Sequence, residues 1–324
     1  MASGQARVWR PDWPCPALGI LGQQRHGPGD PTFRVHGEEV WRGIRAPDGP
    51  ATLRVAPRPR DGDVLAEAWG DGAEWALDHV PAMLGADDDL SGFEPRHPLV
   101  AEGGRRRPHL RFGAGHRVFE TLVAAIIEQK VTGQEAFAGF RRLVHRYGER
   151  APGPGRELRL WVQPGADTIR RIPSWEWLKL HIDPARSRTI VRAATVADTL
   201  DRLTADDADA KLRTLPGIGE WTAAEVRSRA FGDPDAVSFG DYHIAQDIGW
   251  AVTGTPYDDE QLRAFLEPWR PQRNRAVVLI HGLAGGRPRR GARMAPRTHL
   301  PVRQTVDPSS GIRGAGAGGS AGTP

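Results

Sequence analysis

Apolar residues along this chain change their spacing partway, and the change separates two kinds of structure. In the first part they come in short runs, at 17–21, 32–35, 40–44 and 52–55, divided by turn-forming clusters such as Gly27-Pro28-Gly29-Asp30-Pro31 and Pro47-Asp48-Gly49-Pro50. Apolar and polar positions alternate in 32–35 and 40–44, the period of two expected of an antiparallel sheet with one solvated face. A further strand is predicted at 64–69, ahead of helical spacing over 73–84. Residues 14–100 therefore read as an α+β domain of ordinary size, preceded by a flexible N-terminus at 1–13.

From Arg117 the spacing becomes helical. Phe119, Leu122, Val123, Ile126 and Ile127 share one face, and Phe137, Phe140, Leu143, Val144 and Tyr147 share the next. After a loop at 148–155, helices are predicted at 166–172, 175–181, 184–203, 205–215, 220–231, 242–252, 258–267 and 274–284. No strand pattern interrupts them. The fold class is thus α+β: an antiparallel-sheet α/β module, a boundary between 92 and 108, then an all-helical domain at 101–285. The acidic run Asp87-Asp88-Asp89 reads as a solvated helix end or turn, because three consecutive acids cannot all face one ion.

Composition narrows the chemistry. Cys15 is the single cysteine, so a disulfide within the chain, an all-cysteine zinc site and an iron-sulfur cluster are all excluded. No apolar run is long enough to span a bilayer and no signal-peptide pattern opens the chain, so no membrane role and a cytoplasmic location are expected. The net charge of +4 is unevenly placed: from Gly286 onward there are seven arginines and one acid, a net of +6, which leaves −2 for everything before it. The segment 286–324, rich in Arg, Gly and Pro, reads as disordered. If the rest of the chain meets nucleic acid, it must do so through local patches such as Arg105-Arg106-Arg107 and through backbone amides.

One run offers such amides. In Leu215-Pro216-Gly217-Ile218-Gly219-Glu220-Trp221-Thr222-Ala223 the proline and glycines interrupt two helical segments, which predicts a helix-hairpin-helix over 205–231. Glycines allow the backbone close to a phosphate, and the unpaired N–H groups of the second helix's first turn can bind it. Downstream lies an acidic residue in Phe239-Gly240-Asp241-Tyr242. Asp241 is placed to cap the following helix, and its neighbour His243 is a rival general base by residue type.

These motifs, with Ile126-Ile127-Glu128-Gln129-Lys130-Val131-Thr132 and Pro268-Trp269-Arg270-Pro271-Gln272-Arg273, resemble the helix-hairpin-helix DNA glycosylases, most of all the bacterial DNA-3-methyladenine glycosylase II group. The resemblance covers roughly residues 15–284. It implies that Asp241 is the catalytic carboxylate and that Trp221, Tyr242 and His281 line a base pocket. It further implies that Gln129, Lys130, Thr132, Gly217, Gly219 and Thr222 contact DNA, and that the carbonyls of Arg213, Leu215 and Ile218 coordinate a monovalent cation, Na+ or K+. Relatives of this hairpin that also nick DNA carry a lysine where this chain has Trp221, and a tryptophan cannot form a Schiff base. The implied enzyme is therefore monofunctional, a hydrolase of base excision repair that needs no cofactor, has no lyase step and acts as a monomer on damaged double-stranded DNA, associated with the nucleoid when bound. Lys130 stands where the family inserts an apolar wedge, and His281 where it has an aromatic ring, which leaves the lesion range open. The competing readings are a non-catalytic helix-hairpin-helix DNA-binding protein and a glycosylase for oxidised or deaminated bases.

Overall fold

The computed structural model describes residues 4–287; the remainder of the arginine-rich segment lies outside them. The chain begins with strand β1 (Gln5–Trp9), helix α1 (Ala17–Leu21), and strands β2 (Phe33–His36), β3 (Glu39–Ala46), β4 (Gly49–Arg58) and β5 (Asp63–Trp69). These strands form one antiparallel sheet in the order β1-β5-β4-β3-β2. Val40, Ile44, Leu53, Val55, Val64 and Ala66 turn to a buried face, where α1 and the short helices α2 (Ala73–Asp78) and α3 (Val80–Met83) cover them. The expectation of an antiparallel sheet with one solvated face holds in β3 and β5, where buried positions alternate with more exposed ones.

Three local expectations in this module are corrected. The N-terminus is not a free end, since β1 pairs with β5 from Gln5 opposite Ala68 to Trp9 opposite Val64. Its residues are almost all exposed, so an edge strand of this kind carries no apolar alternation to read. Residues 17–21 are helical rather than extended, with Ala17, Ile20 and Leu21 buried at helical spacing. The single helix expected over 73–84 is two, broken at His79, two residues ahead of Pro81, which has no N–H to donate to the Leu77 carbonyl one turn back.

Helix α4 (Pro98–Arg106) occupies the segment expected to be a boundary. It packs against the far end of the chain: a Cβ on Gly103 would lie 2.6 Å from the Leu279 carbonyl. Then follow α5 (Val118–Glu128), α6 (Gly133–Tyr147), strands β6 (Glu149–Arg150) and β7 (Trp161–Val162), and helices α7 (Ala166–Arg170), α8 (Ser174–Lys179), α9 (Pro184–Thr195), α10 (Ala197–Leu200), α11 (Ala205–Arg213), α12 (Glu220–Ala230), α13 (Ile244–Thr253), α14 (Asp259–Leu266) and α15 (Arg273–Ala284). The β6–β7 ribbon is the exception to an all-helical second part, and two residues per strand are too few to leave a periodic signal. The helix expected over 184–203 breaks at Val196, where φ is −122°.

Several helices begin where side chains satisfy their free N–H groups. Thr132 and Glu135 form a reciprocal capping box at α6, and Asp258 and Gln261 do the same at α14. Asp183 caps α9 ahead of a proline at its first turn.

The helical part divides into two cores. One gathers α5, α6, α9, α11 and α12 around Leu122, Ile126, Leu143, Ile190, Leu212 and Val226. The other gathers α4, α13, α14 and α15 around Val100, Phe239, Ile248, Leu262, Trp269 and Ile280. Asp88 belongs to the framework of the second and is not solvated as expected. Its side chain is fully buried, accepts from the Phe112 N–H at 2.9 Å and pairs with Arg275, itself 2% exposed. Burial pushes the Asp88 carboxyl up, against the pull of Arg275.

Candidate nucleic-acid interface and active site

Sequence places the hairpin and the acidic loop twenty residues apart; the fold brings them together. The hairpin is α11, the turn Thr214–Gly219 and α12. Gly217 has φ +97°, and a Cβ there would lie 2.4 Å from Thr189 Oγ1, so a side chain is excluded both by backbone geometry and by the approach of α9. Gly219 sits at the start of α12 with open space where a Cβ would be and no side chain capping the helix. The first N–H groups of α12 are therefore left for an outside partner, and the helix dipole favours an anionic one.

Gln129, expected to contact DNA, braces this turn in the structure. At the end of α5 its Nε2 donates to the Gly217 carbonyl at 3.0 Å and to Thr222 Oγ1 at 2.8 Å. That fixes the hairpin against the α5–α6 loop and occupies the Thr222 hydroxyl as an acceptor. Lys130, next in line, is exposed with φ +53°, at the tip of that loop. Thr132 spends its hydroxyl on the α6 capping box.

Asp241 lies in the loop from α12, a helix of the first core, to α13, a helix of the second. Its Oδ1 accepts the N–H groups of His243 at 2.7 Å and Ile244 at 3.1 Å, while Oδ2 makes no hydrogen bond among the described residues. One oxygen thus anchors the carboxylate and the other is left without a hydrogen bond among the described residues. Gly240 precedes it with φ +84° and Phe239 is buried.

An ion pair and a ring join this loop to the hairpin. Glu220, first residue of α12, pairs with Arg263 of α14 at 2.7 Å, and the Arg263 guanidinium lies 3.7 Å from the centroid of the Phe239 ring. The hydrogen bond from Arg263 holds the Glu220 carboxyl below the usual carboxylate range. On the other side Asp235 takes both Nε and Nη2 of Arg273, at 2.8 and 2.7 Å, tying the loop to the start of α15. These supporting residues, Arg263, Arg273 and Asp235, escape sequence reading because charged residues on helices look alike until their partners are known.

The remaining expected site residues are placed as follows. Trp221 is half-buried on α12, Tyr242 is 72% exposed and meets the His243 ring edge to face at 4.9 Å, and His243 is exposed. His281, on α15, lies 3.6 Å from the buried Asp247 carboxylate of α13. Arg105 and Arg106 both turn to Glu102, so their positive charge is partly neutralised. Among the described residues no hydrogen bond reaches the carbonyls of Arg213 or Ile218, whereas that of Leu215 accepts the Ile218 N–H at 3.0 Å. Among the described residues there is no cluster of metal-binding side chains and no helix long and apolar enough to cross a membrane.

No family model matches the chain. It is 30% identical over 205 residues to the probable bifunctional transcriptional activator/DNA repair enzyme AlkA of Mycobacterium tuberculosis, a match covering 61% of this chain and only 38% of that protein. It is 28% identical over 202 residues to DNA-3-methyladenine glycosylase 2 of Escherichia coli, covering 59% of this chain and 68% of that one. Among solved structures, the 3-methyladenine DNA glycosylase from Archaeoglobus fulgidus superimposes with a TM-score of 0.68 over 85% of this chain and 97% of its own, at 16% identity. The chain resembles the helix-hairpin-helix DNA glycosylases in sequence and in fold. The same glycosylase fold serves more than one named activity: the 8-oxoguanine glycosylase/lyase of Clostridium acetobutylicum gives a TM-score of 0.64 over 88% of this chain and 99% of its own, at 13% identity.

Proposed function

We propose that the chain is a monofunctional DNA glycosylase that flips alkylated purines out of double-stranded DNA and hydrolyses their N-glycosidic bond. The observation that carries this reading is the Asp241 carboxylate, anchored through one oxygen and open at the other, beside an uncapped hairpin helix.

A base within a duplex is out of reach, so such an enzyme holds the backbone and extrudes the nucleotide. The N–H groups at the start of α12 grip phosphate, and the carbonyls of Arg213, Leu215 and Ile218 would hold a monovalent cation that adds positive field at the hairpin. Lys130, at the tip of the α5–α6 loop, is the residue offered to the DNA stack; its stem fills space and its head meets phosphate. Bond cleavage develops positive charge on the sugar, which the free oxygen of Asp241 stabilises while helping to deprotonate the attacking water. Trp221 and Tyr242 supply ring faces for the extruded base, with His281 on the neighbouring helix.

Two measurements test this. Released bases are quantified by chromatography after incubation with methylated duplex DNA, for the wild type and for Asp241→Asn. Release by the wild type and its loss in the variant are expected; no release by either returns the chain to a DNA-binding role, and equal release removes Asp241 from the chemistry. Treatment with borohydride during turnover should trap no covalent adduct, because Trp221 has no amine; a trapped adduct contradicts the monofunctional reading.

A further inference from the structure

The loop that carries Asp241 is tied to α12 near its catalytic end through the Glu225 carboxylate, beyond the Arg227–Asp233 pair at its start. Glu225 accepts the hydroxyl proton of Ser238 on one oxygen, and its other oxygen pairs with Arg229 one helical turn further on. Ser238 is buried, and its carbonyl accepts the Asp241 N–H at 3.2 Å. Glu225 is thus two hydrogen bonds from the backbone of Asp241, with both oxygens committed.

Arg229 extends this line into the sheet module. Its Nε donates to the Gln23 carbonyl at 3.2 Å, and its own carbonyl accepts from Gln24 Nε2 at 2.9 Å and from the Gly115 N–H at 2.9 Å. Gln23 and Gln24 follow α1 directly. The catalytic loop is therefore referenced to the N-terminal module through three consecutive side chains, Ser238, Glu225 and Arg229, independently of the Arg263 and Arg273 contacts on its other side.

We infer that Glu225 is a positioning residue for Asp241, fixing the loop through Ser238 while Arg229 ties the same carboxylate to the N-terminal module. This rests on the glycosylase reading. The ion pair holds the carboxylate in one rotamer, and the charge makes it a strong acceptor for the Ser238 hydroxyl. Ser238, in turn, sets where the turn through Gly240 begins. Small displacements of a reacting group are costly in rate even when binding is unaffected.

The test is single-turnover base release from methylated duplex DNA by wild type, Ser238→Ala, Glu225→Gln and Glu225→Ala, with affinity for a duplex carrying an abasic-site analogue measured beside it. Ser238→Ala removes one hydroxyl and leaves the Glu225–Arg229 pair in place, so it keeps the test valid if Glu225→Ala fails to fold. The expected result is a loss of about 10- to 100-fold in the rate of release for Ser238→Ala and Glu225→Ala, with unchanged affinity for the analogue duplex. Glu225→Gln, which keeps an acceptor for Ser238, should fall between them and the wild type. Wild-type rates in Ser238→Ala and Glu225→Ala, or a loss seen only in affinity, overturn the positioning role while leaving the glycosylase reading intact. A wild type that releases no base takes down both.

Discussion

Two helices of this site, α12 and α13, begin in opposite ways. At α12 the chain enters through Pro216, Gly217 and Gly219, and no side chain caps the helix. At α13 Asp241 turns back to take the N–H groups of His243 and Ile244. The difference is one of task. An uncapped first turn keeps its donors and its dipole for an anion arriving from outside. A capped one spends its donors to hold a carboxylate still, which fixes one oxygen and leaves the other open. Were the glycines and the aspartate exchanged, the first helix would repel phosphate and the second would have no fixed charge to offer.

The largest effect is expected at the capped end. Asp241→Asn preserves the cap, since asparagine accepts the same bonds, but removes the charge, and base release should fall by about 100- to 1,000-fold with the melting temperature little changed. A variant that loses stability in proportion to activity would show that Asp241 is a cap and nothing more. At the uncapped end Gly217→Ala forces a side chain into a left-handed backbone and against Thr189; it should cost about 1–3 kcal/mol of stability and weaken duplex binding, as read by thermal denaturation and fluorescence anisotropy. Retained affinity would argue that the turn is not the backbone grip.

Smaller effects sharpen the same contrast. Gln129→Ala removes both ties from α5 to the hairpin and should destabilise by about 1–2 kcal/mol, with a weaker response of duplex affinity than Gly217→Ala. The smallest concerns Glu220. Arg263 holds its carboxyl below the ordinary range, so the stabilisation is present above the unfolded-state value of about 4.3 and is lost as pH falls through the lower folded-state value. Because the pair is partly exposed and screened, Glu220→Gln should reduce stability at neutral pH by ~0.5 kcal/mol or less, and the deficit should vanish in acid denaturation curves. A deficit persisting at low pH would assign the effect to packing on Phe239 rather than to charge.

The hairpin, the cap at Asp241 and the antiparallel sheet were legible because each rests on short-range signals: glycine and proline punctuation, capping chemistry and hydrophobic period. The bonds from Gln129 to Gly217 and Thr222 were not legible, because a polar residue at a helix end shows no partner in the sequence. The sequence was also silent on β1, an exposed edge strand without alternation, and on the β6–β7 ribbon, too short to have a period. Asp88 shows the same limit in reverse: an acidic triplet has the look of a solvated turn until Arg275, 187 residues away, is folded against it.

What the sequence determined by itself is therefore local: where the backbone turns, which helix starts are open or capped, and that position 221 bears no amine. The division of the helical part into two cores, the meeting of Glu220, Arg263 and Phe239, and the line from Gln24 through Arg229 and Glu225 to the Asp241 loop were decided only by the tertiary structure. The physical reason is that a charged side chain has no meaning of its own until burial and a partner are supplied. Long-range packing supplies both, and no spacing along the chain encodes it.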